Sequence, residues 1–224
     1  MKTATHTFED GSILLLEKID TITFPKGVKI LITDPCYWFG KDKETVKDPV
    51  WMQFCDMMFP DNYEKLPEHE RLFDYAKATF TTAEGRKIEF LYSSTAHGDG
   101  SYEVKKYGQY AKLISGDASF GVDAGMYAVV LIDDAKQLCP KEFEGDKFGC
   151  GSVFETTTSV TITVDGENME GSFCCNTKDD EKHVCPECCC EEADDDGELC
   201  YSCYVEEKER EEEEKENEEE SEEG

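Results

Sequence analysis

The chain has 224 residues, enough for one globular domain and an appendage, and its 38% hydrophobic content includes 13 Phe and 10 Tyr that supply a core. Its 52 acidic and 23 basic residues give a net charge of −29, which argues against direct binding to nucleic acid or to anionic membranes and favours a basic protein partner. No apolar run has the length of a signal peptide or of a ~20-residue membrane span, so we expect a cytoplasmic protein with its thiols reduced or bound to metal.

Residues 1–173 predict a globular α+β domain, mostly an antiparallel β-sheet with one or two helices. The predicted strands are apolar runs rich in β-branched residues, bounded by Gly, Pro or Asp. They cover 13–19, 28–33, 77–82, 87–93, 126–133 and 160–164. The last of these strands runs into Asp165-Gly166, a dipeptide typical of a tight hairpin turn.

Two helices are predicted between the early strands. Asp48 can cap a helix whose first position is Pro49 and whose apolar residues, 50–59, pack against the sheet. A second, weaker pattern covers 67–77. A Met and aromatic stripe such as that in 50–59 usually indicates core packing rather than a cofactor site.

Three aspartates lie among turn-forming residues close to predicted strands. Asp34 is in TDPCY (33–37), Asp99 is in TAHGDGSYEV (95–104), and Asp123 is in GVDAG (121–125). Each can cap its own turn by accepting a backbone N–H. If the carboxylates instead converge, their repulsion requires a cation such as Mg²⁺, Mn²⁺ or Ca²⁺. His97 is then the candidate general base, and Cys36 is a less favoured nucleophile.

Residues 28–132, with their DPCY, GDG-x-Y-x-V and VDAG segments, resemble an uncharacterised family of mainly bacterial and phage proteins. The resemblance supplies no established activity. It implies that five residues form one spatial cluster: Asp34, Tyr37, Asp99, Tyr102 and Asp123.

The Cys-rich stretch 174–204 predicts a small module that resembles a zinc ribbon. Two Cys-x-x-Cys pairs, Cys185 with Cys188 and Cys200 with Cys203, can supply the four thiolates of a closed, structural Zn²⁺ site. Cys189 or Cys190 can substitute for Cys188, and His183 is an outside candidate. An iron–sulfur cluster, disulfides or free thiols are the other interpretations.

The segment 205–224 is an acidic tail, with 13 Glu in the 19 residues from 206 onward. This composition is typical of a disordered segment or a fraying helix, and its simplest role is solubility. A sharper interpretation is a polyanion that mimics nucleic acid and occupies a basic groove on a partner protein.

Two functions follow from the sequence. The first is a non-catalytic, zinc-containing acidic binding protein, encoded by a phage or mobile element, that engages a basic protein surface and interferes with host nucleic-acid machinery. The second is a divalent-metal-dependent hydrolase of a nucleotide or phosphoester, with Asp34, Asp99, Asp123 and His97 at its site. A passive zinc-stabilised structural protein is a third possibility.

Overall fold

The computed structural model describes residues 2–39, 50–116 and 118–176. The chain divides into two units, Met1–Lys178 and Asp179–Gly224, and all the described residues belong to the first. The predicted zinc ligands, their alternatives at 183, 189 and 190, and the acidic tail therefore lie outside the described residues. The predicted helix start at Asp48 and Pro49 also lies outside them, and the boundary at 173 stays a prediction.

The described residues form sixteen strands and two α-helices, α1 (Val50–Met58) and α2 (Ile132–Leu138). In chain order, the strands are β1 (Thr3–Thr7), β2 (Ile13–Glu17), β3 (Thr21–Phe24), β4 (Lys29–Thr33), β5 (Tyr75–Thr81), β6 (Lys87–Ser94), β7 (Gly100–Glu103), β8 (Ala111–Ser115), β9 (Ser119–Val122), β10 (Met126–Leu131), β11 (Phe143–Glu144), β12 (Lys147–Phe148), β13 (Ser152–Thr156), β14 (Val160–Val164), β15 (Asn168–Gly171) and β16 (Cys175–Asn176).

Eight of these strands form one sheet in the order β1-β2-β5-β6-β10-β4-β13-β8, and every neighbouring pair is antiparallel. A four-stranded sheet has the order β16-β15-β14-β3. Two further sheets have two strands each, β7-β9 and β11-β12. The prediction of an α+β fold dominated by antiparallel strands is confirmed. No helix among the described residues is long and apolar enough to cross a membrane.

The central strands of the large sheet are buried on both faces. Along β10, Met126, Ala128 and Val130 join one hydrophobic cluster, while Tyr127 and Val129 join the other. Successive side chains of a strand point to opposite faces of its sheet. The domain therefore has two cores, one on each side of the large sheet, and this explains why β10 is a continuous apolar run.

The first core contains α1 and a group of aromatic rings. Phe90 of β6 is fully buried and lies 5.1 Å, centroid to centroid, from both Trp38 and Phe39. Phe54 of α1 packs on the same ring at 6.1 Å, and Tyr92 lies 5.2 Å from Phe54. The predicted helix over 50–59 is confirmed, and its aromatic residues serve as core packing.

The second core lies between the large sheet and the four-stranded sheet. It includes Phe154 of β13, Ile162 of β14 and the ring of Phe173, which lies 5.1 Å from Phe154. The predicted hairpin after 164 is confirmed, because β14 and β15 pair on either side of the turn and Gly166 takes a φ of +98°. Cys174 forms an isolated backbone β-bridge with Lys105, and Cys175 of β16 lies opposite Met169 of β15 in the sheet.

The predicted helix over 67–77 is wrong. This segment contains a single 3₁₀ turn, Glu68–Glu70, which is followed by an extended Arg71 and by β5 from Tyr75. The Arg71 side chain donates to the carbonyl oxygens of Leu66 and Glu64 and holds the turn closed. Sheet pairing of β5 with β2 and β6 outweighs the weak helical spacing of the apolar residues.

The predicted strand 126–133 ends earlier than expected, because α2 begins at Ile132. Asp133 and Asp134 lie in the first turn of α2, where carboxylates interact favourably with the helix dipole. Arg86 anchors the helix by donating to the Asp134 carboxylate at 2.6 Å.

Candidate functional site

The three aspartate turns meet at one end of the large sheet. β4 and β6 both pair with β10 in antiparallel register, Thr33 opposite Ala128 and Ser94 opposite Met126. The chain leaving β4, the chain leaving β6 and the chain entering β10 are therefore neighbours. These are the segments that carry Asp34, Asp99 and Asp123.

The Asp34 carboxylate braces two of these turns. Its side chain is completely buried, and its Oδ1 accepts the Cys36 N–H at 2.7 Å, which caps the short 3₁₀ turn Pro35–Tyr37. Its Oδ2 accepts the N–H groups of Asp123 and Ala124 at 2.8 and 2.7 Å. Asp34 thus caps its own turn, as one interpretation predicts, and also holds a turn 89 residues away.

Asp99 adds a further hydrogen bond to the same loop. Its Oδ1 accepts the Gly125 N–H at 2.9 Å, so three successive backbone donors, 123 to 125, point at carboxylates. The Gly125 carbonyl oxygen accepts the Thr95 N–H at 2.9 Å. Gly125 has a φ of +63°, and an added Cβ would lie 3.7 Å from Gly98 Cα, so the two turns pack with little spare space.

The two tyrosines of the implied cluster are also at this end of the sheet. The Tyr102 hydroxyl donates to the Gly98 carbonyl oxygen at 2.9 Å. Tyr37 interacts with the Asp123 carboxylate, and burial together with that hydrogen bond raises the pKa of the Tyr37 hydroxyl. All five residues therefore belong to turns that are connected by hydrogen bonds. Asp123 contacts both Asp34 and Tyr37.

The electrostatics of Asp34 reflect two opposed effects. Burial raises the pKa of its carboxyl, because a charge loses hydration there. The N–H groups of Cys36, Asp123 and Ala124 lower the pKa by stabilising the carboxylate, and the net displacement is upward.

The other candidate catalytic residues are placed differently from Asp34. The side chains of His97, Asp99 and Asp123 are exposed. Within residues 2–39, 50–116 and 118–176, no three His, Cys, Asp or Glu side chains form a group that could hold a metal ion. The Mg²⁺, Mn²⁺ or Ca²⁺ site stays a prediction, as does the catalytic role of His97.

Residues 150 and 151 contact the end of β4, immediately before the Asp34 turn. The Cys150 carbonyl oxygen accepts the Thr33 hydroxyl at 2.9 Å and the Gly121 N–H at 3.1 Å. A Cβ on Gly151 would lie 2.8 Å from Thr33 Cβ and 2.9 Å from the Ile32 carbonyl oxygen. Only glycine fits this contact between β4 and the chain entering β13.

Gly151→Ala is expected to lower the free energy of unfolding by about 2 kcal/mol, because the new methyl group meets backbone and rigid side-chain atoms. Urea denaturation followed by circular dichroism measures the change. Gly149→Ala is the matched control, since nothing lies within 4 Å of its added Cβ. Equal effects of the two substitutions would contradict the close contact at Gly151.

No family model, curated protein or solved structure matches this chain. The family suggested by the DPCY, GDG-x-Y-x-V and VDAG segments therefore stays a prediction. What the site can do has to be argued from its own geometry.

A cleft of about 780 Å³ lies beside the aspartate turns, and sequence reasoning missed it. Lys18, Asp74 and Tyr75 line one part of it, and Ser94 and Thr95 line another. Thr95 connects the cleft to the turns through its bond to Gly125. No local motif marks Lys18 or Asp74, because each is a single polar residue next to a strand.

Proposed function

We propose that the protein is a non-catalytic acidic binding protein that engages a basic protein surface. The observation that carries the proposal is the hydrogen bonding of the Asp34 carboxylate. Both oxygens of this buried carboxylate accept backbone N–H groups, and they join two turns of the sheet end. This arrangement supports a structural role for the aspartate motifs, in which they build a rigid surface rather than an active site.

The charge of the chain supports the choice of partner. Residues 176–224 hold 23 acidic and 5 basic residues, a net charge of −18, which leaves −11 of the total −29 for residues 1–175. A polyanion of this density attracts basic surfaces and repels nucleic acid. The partner that we propose is a protein with a basic groove, such as one that normally holds nucleic acid, in keeping with a phage or mobile-element protein.

The zinc module fits this proposal as a docking element. Four thiolates from Cys185, Cys188, Cys200 and Cys203 would leave no open position on the metal, so Zn²⁺ would stabilise the segment without doing chemistry. Its place in the sequence, between the sheet domain and the acidic tail, puts it next to the charge that attracts the partner.

A divalent-metal-dependent hydrolase is the second proposal. It would rely on Asp99, Asp123 and His97, whose side chains are exposed, because Asp34 already has both oxygens engaged. Asp99→Ala would then abolish Mg²⁺ or Mn²⁺ binding by the full-length protein. Titration calorimetry with each ion tests this directly, and absence of binding in the unsubstituted protein would remove the hydrolase proposal.

The binding proposal is tested by affinity capture with three forms of the protein: the full chain, a chain without residues 205–224, and a chain in which the 13 tail Glu are Gln. We expect the full chain to retain basic proteins at low salt and to release them as the salt concentration rises, because the attraction is electrostatic. The neutral tail keeps its length and loses its charge, so we expect it to behave like the truncated chain.

The identity and charge of the captured proteins also test the binding proposal. Retention of the same proteins by all three forms would remove the tail from the mechanism. Retention of mainly acidic or neutral proteins, with no dependence on salt, would contradict the proposed basic partner.

A further inference from the structure

The outer face of α1 carries exposed apolar side chains. Among the residues that the structure describes, three large hydrophobic side chains are exposed, and two of them belong to this face: Met52, which is 52% exposed, and Phe59, which is 45% exposed. The Phe59 N–H donates to the Cys55 carbonyl oxygen at 2.8 Å, so Phe59 continues the spacing of the helix. Positions i and i+7 lie on the same side of an α-helix, and the two side chains therefore form one apolar stripe.

Phe59 rests on a rigid aromatic support. Its ring lies 4.2 Å, centroid to centroid, from that of Phe73 and 5.3 Å from that of Tyr63. Phe73 packs against the first core, and the Tyr63 hydroxyl donates to Asp74 Oδ1 at 3.0 Å. Phe59 therefore has a defined orientation before any partner binds. An anchor that is already ordered loses less entropy on binding than a mobile one.

Negative charge borders the apolar stripe. Residues 50–71 contain five acidic and two basic residues, a net charge of −3, and the three acidic residues closest to the stripe in sequence are exposed: Asp56, Asp61 and Glu64. Asp56 lies four positions after Met52, within the stripe itself. Burial, followed by the charges of Asp56 and Asp34, raises the pKa of the Cys55 thiol to about 11, as expected beside a surface of negative potential.

The sign of this charge decides between the possible occupants of the stripe. A second copy of the chain would bring another net charge of −29 to an acidic face, so repulsion opposes self-association there. A partner whose own apolar residues are flanked by Lys or Arg matches the stripe in both polarity and charge.

We propose that the outer face of α1 is the docking site for a basic, amphipathic helix of the partner protein. The inference rests on the basic partner proposed above and adds the part of this chain that meets it. In a helix laid along α1, side chains at i and i+7 are about 10 Å apart, at about 1.5 Å per residue, which is the spacing of Met52 and Phe59. Lys or Arg side chains of the partner helix then face Asp56, Asp61 and Glu64.

The test measures the binding of a fluorescently labelled peptide to the folded, full-length protein by fluorescence anisotropy. The peptide contains only Leu and Lys, with Leu at i, i+3, i+4 and i+7, so that it forms a basic amphipathic helix. A scrambled peptide of the same composition has the same charge and no apolar face. We expect the amphipathic peptide to bind about tenfold more tightly than the scrambled one, because only the first can bury a row of Leu side chains on the stripe.

Substitutions of the exposed apolar residues locate the site of binding. Phe59→Ala is expected to weaken binding of the amphipathic peptide about tenfold and Met52→Ala about threefold, because each removes an anchor. Ile13→Ala is the matched control and is expected to change the affinity by less than about twofold. Ile13 is 39% exposed, and its neighbour Leu14 points into the first core, so Ile13 faces the side of the large sheet away from α1. Circular dichroism verifies the fold of each variant.

Two results would overturn the docking site and leave the basic partner in place. One is equal affinity of the unsubstituted protein for the two peptides, and the other is equal binding of the amphipathic peptide by Phe59→Ala and Ile13→Ala. Either would mean that charge alone, above all that of the acidic tail, attracts the peptides. Removal of residues 205–224 is expected to weaken binding of both peptides by a similar factor and to preserve the difference between them.

Two further results concern the identity of the occupant. Absence of binding by both peptides at low salt would contradict the basic partner itself, and the docking site with it. A dimer in sedimentation velocity that dissociates on Phe59→Ala would assign the stripe to a second copy of the chain and would overturn the proposal.

Discussion

Asp34→Ala is expected to lower the free energy of unfolding of this domain by about 4 kcal/mol. The change removes the carboxylate that accepts the N–H groups of Cys36, Asp123 and Ala124. Hydrogen bonds to a charged acceptor are worth about 1.5 to 3 kcal/mol each, and part of their loss is recovered when water reaches the freed donors. Urea denaturation monitored by circular dichroism measures the difference.

Asp99→Ala is the matched control for Asp34→Ala. Asp99 is exposed and accepts one N–H from the same loop, so its loss is expected to cost about 1 kcal/mol. A similar small effect at both positions would contradict the bracing role of Asp34. Unchanged cooperativity in the urea transition of each variant would show that the fold is retained below the transition.

Phe90→Ala is expected to lower the free energy of unfolding by about 4 kcal/mol, because it opens a cavity at the centre of the first core. The Phe90 side chain is fully buried, and its ring packs against those of Trp38, Phe39 and Phe54. The surrounding rings are rigid and cannot collapse fully into the space. Thermal denaturation by calorimetry measures the loss.

Phe59→Ala provides the comparison for Phe90→Ala, because it removes the same side chain from a position that is 45% exposed. Phe59 contacts Tyr63 and Phe73 at the surface, so we expect a loss of about 1 kcal/mol there. Equal losses at the two positions would mean that the aromatic cluster around Phe90 does not form the core described above.

The sequence predicts the central strands and the first helix well, because their signals are local. β4 and β10 are dense in β-branched and apolar residues, and α1 combines apolar residues around most of its circumference. The segment 67–77 has a similar but weaker pattern, and its tertiary surroundings decide the outcome. Pairing with two strands makes its last three residues, 75–77, the start of β5.

The helix α2 escaped prediction because its local signal, the acidic pair Asp133 and Asp134 in its first turn, is weak. No side chain caps its first turn, and Ile132 continues the apolar run of the strand. The change from strand to helix depends on where the sheet ends and on the anchoring of Asp134 by Arg86, 48 residues earlier. The local sequence around 132–138 does not reveal the ion pair between Arg86 and Asp134.

The aspartate turns illustrate what sequence reasoning can and cannot give. The residue types indicate caps, and Asp34 does cap its own turn. Its second task, holding the loop at 123–124, follows from the placement of β4 beside β10, which the sequence does not specify. Lys18 and Asp74 were missed for the same reason, since only the fold brings them together.

The position of β4 in the sheet has a consequence for the order of events during synthesis on the ribosome. β4 lies between β10 and β13, so its neighbours are made roughly a hundred residues after it. A nascent chain that ends before residue 126 can pair β1 with β2 and β5 with β6, but β4 has no partner strand. The growing chain thus exposes the apolar strand Lys29–Thr33 until β10 emerges, which makes the early chain a natural client for chaperones.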